Sequence, residues 1–321
     1  MIDHSSLTSL QSIDSLLAKT IDTAVVALAQ QHLRDVLLFA FKHTNAHAAV
    51  VVFDTQCELS LILTAAYRRC LPGAHFIDFD ASSPEQVLAI LAPLLASDLV
   101  VLIQSTNFRM DAFRIRVELF KRELKVIEHP HLARMQGQEA LTYIDSLAYD
   151  PAYYRGVGNK LKSLIDAASS GVVDSGGEHL VFASPFESAK LNVGDYSEMK
   201  NIGGQFPIGE VFTEAKDLEA VSGRVRIFVF GDTSFSVNKP PAPITLIVLK
   251  GQVIGVENST PEFDKVIANI RADEGVVWVR ELGFGMNRAF TKDRMVSDIG
   301  TYERMWHTFI LGCQARYLWQ T

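Results

Sequence analysis

The residues of this 321-residue chain best equipped for chemistry are two glutamates and a histidine, each set against an apolar stretch. Glu210 closes the run Asn201-Ile-Gly-Gly-Gln-Phe-Pro-Ile-Gly and opens Val-Phe-Thr. A glycine- and proline-rich loop of this kind delivers a carboxylate that can ligate a metal or act as a base, while its backbone is free to approach a ligand closely. Glu281 directly follows Val-Val-Trp-Val, a run with the hydrophobicity of a buried strand, so its head group is expected at the edge of a core, where an unpaired carboxylate is expensive. Its partner is either a metal or one of the cations Arg280, Arg226 and Lys239. His307 lies in Glu303-Arg-Met-Trp-His-Thr-Phe-Ile-Leu-Gly312. Alone, such a histidine more often hydrogen-bonds within a core than ligates, but Glu, Glu and His from separate segments form a set suited to zinc, cobalt, manganese or iron(II).

Other polar residues carry blander expectations. Asp54 and Ser105 fall at predicted strand C-termini, where ligands of open α/β sheets bind but where both residue types also cap helices. His129-Pro-His131 is expected in a solvated loop, and Glu178-His179 at the surface. Arg109, Arg114, Arg116, Lys121 and Arg122 line a predicted helix whose default is a solvated face, with a pocket for a substrate carboxylate as the alternative. Neither a Gly-x-Ser-x-Gly elbow nor a usable Ser/His/Asp triad spacing occurs.

The elements that must position these residues fall into two textures. Apolar residues at helical spacing over 7–43 predict a helical lead-in. Strands are expected at 48–55, 74–80, 98–106 and 124–129, alternating with helices near 58–70, 84–96 and 109–123. That alternation predicts a Rossmann-like parallel sheet layer, within a first domain over 1–145. No Gly-x-Gly-x-x-Gly follows the first strand, which disfavours a dinucleotide. After Asp150-Pro151 a helix near 155–169 leads into β-rich segments, among them a hairpin turning at Lys250-Gly251. The C-terminal part, 146–321, is therefore expected as an α+β mixed-sheet domain.

Composition narrows the partners. The net charge is −7 and there is no long Lys/Arg cluster, which argues against nucleic acid. No apolar run approaches the ~18 residues of a membrane span. The opening Met-Ile-Asp-His-Ser-Ser lacks secretory features, and three cysteines without metal-like spacing suit a reducing compartment, so the expected location is cytoplasmic. The expected partner is a small molecule or short peptide.

Ile202-Gly-Gly-Gln-Phe-Pro-Ile-Gly-Glu-Val-Phe-Thr-Glu214, Glu281-Leu-Gly-Phe-Gly-Met-Asn287 and Glu303-Arg-Met-Trp-His-Thr-Phe-Ile-Leu-Gly312 resemble, in order, three segments of the aminopeptidase T-type leucyl aminopeptidases. These are N-x-P-x-G-E-V-F-x-x-P, E-x-G-x-G-x-N and E-K-x-x-G-T-x-H-x-A-x-G. The resemblance extends over about 45–312, and dihydroxypyridine ring-opening dioxygenases are built on a similar chain. It implies a metal-dependent hydrolase acting on an amino-acid or peptide-like substrate, with Glu210, Glu281 and His307 as metal ligands. Tyr317, Asp232 and Glu303 stand as supporting positions, Tyr317 with a catalytic part, and a homodimer is the implied assembly. Two departures matter. Counted back from Gly312, the histidine of the motif falls on Thr308, one place after His307, and no His-x-Asp pair follows. The alternatives are a relative that has lost peptidase chemistry and binds a small molecule or peptide in a specialised biosynthetic pathway, or a one-metal oxygenase or lyase.

Overall fold

The computed structural model describes residues 22–108, 115–197, 199 and 201–304, together with the backbone of 307–311 and 318–320. The chain divides into two units, Met1–Tyr149 with Tyr196–Phe206, and Asp150–Asp195 with Pro207–Thr321.

The first unit is built on a parallel sheet. Strands β1 (Ala49–Phe53), β2 (His75–Asp78), β3 (Leu99–Ile103) and β4 (Lys125–His129) alternate with helices α1 (Thr23–Asp35), α2 (Glu58–Cys70), α3 (Pro84–Leu91), α4 (Ile115–Lys121) and α5 (Gln138–Ser146). The β-branched runs Val50-Val51-Val52 and Val100-Val101 are wholly buried, as strands covered on both faces must be. Val50, Val52, Val100, Leu102 and Val126 pack against Val87 and Leu91 of α3 and Leu119 of α4. Local chemistry sets the helix starts. Ser83 accepts a hydrogen bond from Gln86 N while the Gln86 side chain accepts from Ser83 N, and Pro84 fills the first turn where its missing N–H costs nothing. Of the 7–43 lead-in, residues 22–43 are described: α1 is capped by Asp22 and its last turn widens, with Phe41 N donating to Val36 O at 3.2 Å. The rest of that expectation lies outside the described residues.

A fifth strand of this sheet, Ile202–Gln205, departs from the sequence expectation. The glycine-rich stretch expected as a loop pairs in parallel with β4, Gly203 opposite Val126 and Gly204 opposite Ile127. Gly203 has φ +109, and a Cβ there would lie 1.9 Å from Val126 O, so this close approach requires glycine. Strand propensity cannot detect such a segment, because the feature that admits it is the absence of side chains.

The second unit holds α6 (Pro151–Ala167), started by Asp150 accepting from Tyr153 N, and strands β5 (Gly171–Asp174), β6 (His179–Phe182) and β7 (Lys190–Asn192). With β8 the Ile202–Gln205 strand of the first sheet, the chain continues through β9 (Glu210–Glu214), β10 (Val221–Ile227), β11 (Val229–Gly231), β12 (Val237–Asn238), β13 (Ile244–Leu249) and β14 (Gln252–Glu257). Then come α7 (Pro261–Glu274), β15 (Val279–Gly285), α8 (Ile299–Tyr302), β16 (His307–Leu311) and β17 (Leu318–Gln320). The sheet orders are β2-β1-β3-β4-β8, β14-β13-β10-β6-β5 and β12-β11-β17-β16-β15-β9-β7. The β13–β14 hairpin turns at Lys250 (φ 48) and Gly251 (φ 74), the paired positive φ values of a tight primed turn. The architecture is thus mixed α/β, a parallel sheet with helices beside antiparallel sheets. Among the described residues no helix is long and apolar enough to cross a membrane.

Candidate functional site

Register brings the two glutamates onto one face of the third sheet. In the antiparallel pair β9–β15, Glu210 stands opposite Gly285 and Glu281 opposite Glu214. Side chains alternate along a strand, so Glu210, Phe212, Glu214, Glu281, Gly283 and Gly285 share a face, and Leu282 and Phe284 face the other way. The two acids are offset by four residues along the ladder, roughly 13 Å at the rise of a strand.

Arg304, just after α8, pairs with Glu210 and acts on Glu281 through its charge alone. Its Nη1 donates to Glu210 Oε2 at 2.8 Å and to Glu303 Oε1, and all three residues are buried. Its Nε, also buried, finds no acceptor among the described residues. Burial pushes the Glu210 carboxyl up against the pull of Arg304, and pushes Glu303 well above the usual carboxylate range. Glu281 is half-buried. Burial first, and then the charge of Glu210, raise it to about 7, with Arg304 opposing. Arg304 is therefore the cation that Glu210, Glu281 and Glu303 share, and burial above all makes these acids bind protons more tightly than carboxylates in water.

The backbone around Asn287 holds this arrangement. Gly209 at φ +121 lets β9 begin hard against the chain: its N donates to Asn192 O at 2.9 Å and its O accepts from Met286 N at 2.8 Å. Buried Asn287 donates from Nδ2 to Ile208 O and from its backbone N to Arg304 O, at 3.0 and 2.9 Å. One residue, through its side chain and its backbone, thereby ties the loop before Glu210 to the segment carrying Glu303 and Arg304. Neither Asn287 nor Arg304 was singled out from sequence as a positioning or charge-balancing group. The signal available was Asn287 at the end of the E-x-G-x-G-x-N match, and Arg304 as the cation next to Glu303 in the third segment.

The remaining candidates disperse. Arg280 Nε donates to Glu214 Oε1 at 3.1 Å, and Arg226 approaches Glu178 at 3.6 Å. Asp232 accepts from Ser234 N and Oγ, Ser236 N and Asn238 Nδ2, so it organises its own turn. Burial raises its carboxyl, but these hydrogen bonds outweigh that and hold it below its usual value. The backbone of β16 pairs His307 with Phe284 and Thr308 with Gly283, so the register position level with the Glu281 face is that of Thr308. The His307 side chain and all of Tyr317 lie outside the described residues, as do Arg109 and Arg114.

In the first unit, Asp54 accepts from Ser105 N at 2.7 Å and from Ser105 Oγ at 2.5 Å. It joins the ends of β1 and β3 at the point where the strand order reverses. His129 is a correction. Expected in a solvated loop, it is the fully buried last residue of β4, its Nε2 2.9 Å from Tyr67 Oη and its Nδ1 2.7 Å from Tyr143 Oη. Burial lowers its pKa to about 3. Arg116 pairs with Glu128 at 2.5 Å, and Arg122 donates to the carbonyls of Leu91, Ala92 and Leu94.

A parallel α/β unit and a unit of antiparallel sheets bearing a buried carboxylate–arginine cluster define the class of fold. No family model matches the chain, and neither does any curated protein sequence. Among solved structures the chain is similar to wild-type AmpT from Thermus thermophilus, at a TM-score of 0.57 and 12% identity, over 90% of this chain and 86% of that one. At that identity the likeness concerns the fold.

The resemblance implies a metal held by Glu210, Glu281 and His307, and the donor set speaks to it. Among the described residues no group of three His, Cys, Asp or Glu is arranged to hold a metal ion. The acids are offset along the ladder, and a guanidinium takes the position between Glu210 and Glu303 where their charge would meet a cation. As placed, these residues do not fit a shared metal.

Proposed function

We propose that this chain is a hydrolase acting on a small amino-acid or peptide-like substrate through its carboxylate–arginine cluster, with Glu281 as the acid–base group. The observation carrying this reading is a half-buried glutamate raised to about 7 beside a buried cation. A general base works best with a pKa near the working pH, and acid–base assignments follow from carboxylates whose environments push their titrations apart. Ionised Glu281 takes a proton from a water whose oxygen bonds to the scissile carbonyl carbon. The C–N bond then breaks, and protonated Glu281 returns that proton to the leaving amine. Arg304, held by Glu210 and Glu303, supplies fixed positive charge for the developing oxyanion. The AmpT-like fold supports the peptide-like substrate class.

The test is hydrolysis of an aminoacyl p-nitroanilide and dipeptide panel across pH 5–9. The expected kcat/KM profile has a limb near pH 7 that disappears in Glu281→Gln, with activity down by about 10²-fold or more. Activity unchanged by Glu281→Gln would remove that residue from the reaction. Elemental analysis of the purified protein bears on the other reading, in which Glu210, Glu281 and His307 bind zinc, cobalt, manganese or iron. Stoichiometric metal, lost in Glu210→Ala and Glu281→Ala, would replace Arg304 as the source of positive charge.

A further inference from the structure

A second site lies on the same unit, apart from the carboxylate cluster. A cleft of about 700 Å³ is lined by residues that include Leu161 of α6, Asp174 at the end of β5, Arg226 of β10, Phe228, Phe284 of β15 and Lys292. That volume falls within the range of small-molecule sites, roughly 300–1,000 Å³. Phe284 points to the face of β15 away from Glu281, and none of Glu210, Glu281, Glu303 and Arg304 lines the cleft.

Its chemistry is unlike that of the rest of the molecule. The chain carries a net charge of −7, yet two of the three charged groups lining the cleft are cations, Arg226 and Lys292. The acid, Asp174, is already engaged. It accepts from Gly177 N at 2.8 Å and sits 3.4 Å from His179 Nε2, and the Gly177 hydrogen bond holds its carboxyl below the usual range. Arg226 is steered into place by Nη1 donating to Gly176 O at 2.6 Å. Its carboxylate neighbour Glu178 lies 3.6 Å away and is bonded more closely by Arg224, at 2.7 Å. Lys292 Nζ stands 5.1 Å from the centre of the Phe228 ring, which places an ammonium beside an aromatic wall. Leu161, Phe228 and Phe284 are half-buried, so they leave apolar surface facing the cleft.

We infer that this cleft binds a small organic monoanion with a flat apolar body, its carboxylate on Arg226 and Lys292 and its ring between Phe228 and Phe284. A guanidinium and an ammonium at the rim select a carboxylate over an amine, and the phenyl walls reward an aromatic or branched aliphatic body over a bare inorganic anion.

The test is calorimetric titration of the full chain with N-benzoylglycine, its amide, and benzylamine. The expected result is 1:1 binding of the carboxylate, with the amide about tenfold weaker or more and the amine not bound. Arg226→Ala and Lys292→Ala should each weaken the carboxylate by about tenfold and leave the amide unchanged. Because Arg226 also braces the turn at Gly176, Lys292→Ala keeps the test open if Arg226→Ala folds poorly. Glu281→Gln should bind like the wild type, which separates this site from the proposed hydrolysis: binding without hydrolysis would sink only the latter. No carboxylate binding, equal binding of carboxylate and amine, or Lys292→Ala binding like the wild type would overturn the inference.

Discussion

A single guanidinium decides the character of the candidate site. Arg304 balances Glu210 and Glu303 inside the unit, and removing one partner of a buried ionic group leaves the others uncompensated. Arg304→Ala should therefore cost about 3–5 kcal/mol at pH 8, and less at pH 5, where the acids can protonate. Arg304→Lys should recover part of the loss, as read by urea denaturation at both pH values. Glu281 works in the opposite sense from an ordinary paired carboxylate. Its folded pKa is raised, from 4.5 to about 7, so the stability it contributes is complete below 4.5 and is lost as pH climbs through 7. Glu281→Gln should remove a decline on the order of 2 kcal/mol between those pH values, discounted for the partial exposure of the side chain. An unchanged pH dependence would mean that Glu281 is solvated. Spacing and residue type were enough to single out both glutamates, because a carboxylate at the edge of an apolar run is visible in one dimension. The partner cation was not, since the candidates weighed from sequence were Arg280, Arg226 and Lys239, and Arg304 reaches Glu210 only through the path of α8 and the bond from Asn287 to its carbonyl.

At the scale of elements, the sequence was most legible where side chains carry the pattern. The Glu58–Cys70 helix appears at its expected bounds, and strands β1 to β4 fall inside their expected runs, because valine and isoleucine mark a sheet buried on both faces. Legibility failed at β8, where glycines let backbones meet. Gly203→Ala should disrupt the β4–β8 pairing and cost upwards of about 2 kcal/mol, while Gly204→Ala, with nothing within 4 Å of its added methyl, should cost less. Equal denaturation midpoints for the two variants would contradict the close approach. The end of β4 offers a second test. His129 has its pKa lowered from 6.5 to about 3, so the stability due to its neutral form is present above 6.5 and is lost as pH falls toward 3. Acid should weaken the wild type by about 3–5 kcal/mol more than His129→Phe across that window.

For the whole molecule, the first unit's leading segment ends at Tyr149, and Asp150 caps the helix that opens the second unit. What composition could not convey is that Tyr196–Phe206 goes back to the first unit, because a contiguous division of the chain has no way to represent a segment that returns. Expressed alone, residues 1–149 should expose the unpaired edge of β4 and associate, an outcome light scattering would detect, whereas residues 1–149 joined to 196–206 by a short glycine–serine linker should remain dispersed. Equal dispersion of the two fragments would show that the edge is protected by other means.

The same topology imposes an order on biosynthesis. A ribosome must finish all of 150–195 before β8 emerges, so the nascent sheet waits four-stranded with one side open while unrelated polypeptide is still being made. Slow codons placed just before Ile202 should lengthen that wait and increase the share of chains captured by chaperones, whereas the same codons placed far enough downstream that β8 has already left the exit tunnel should not.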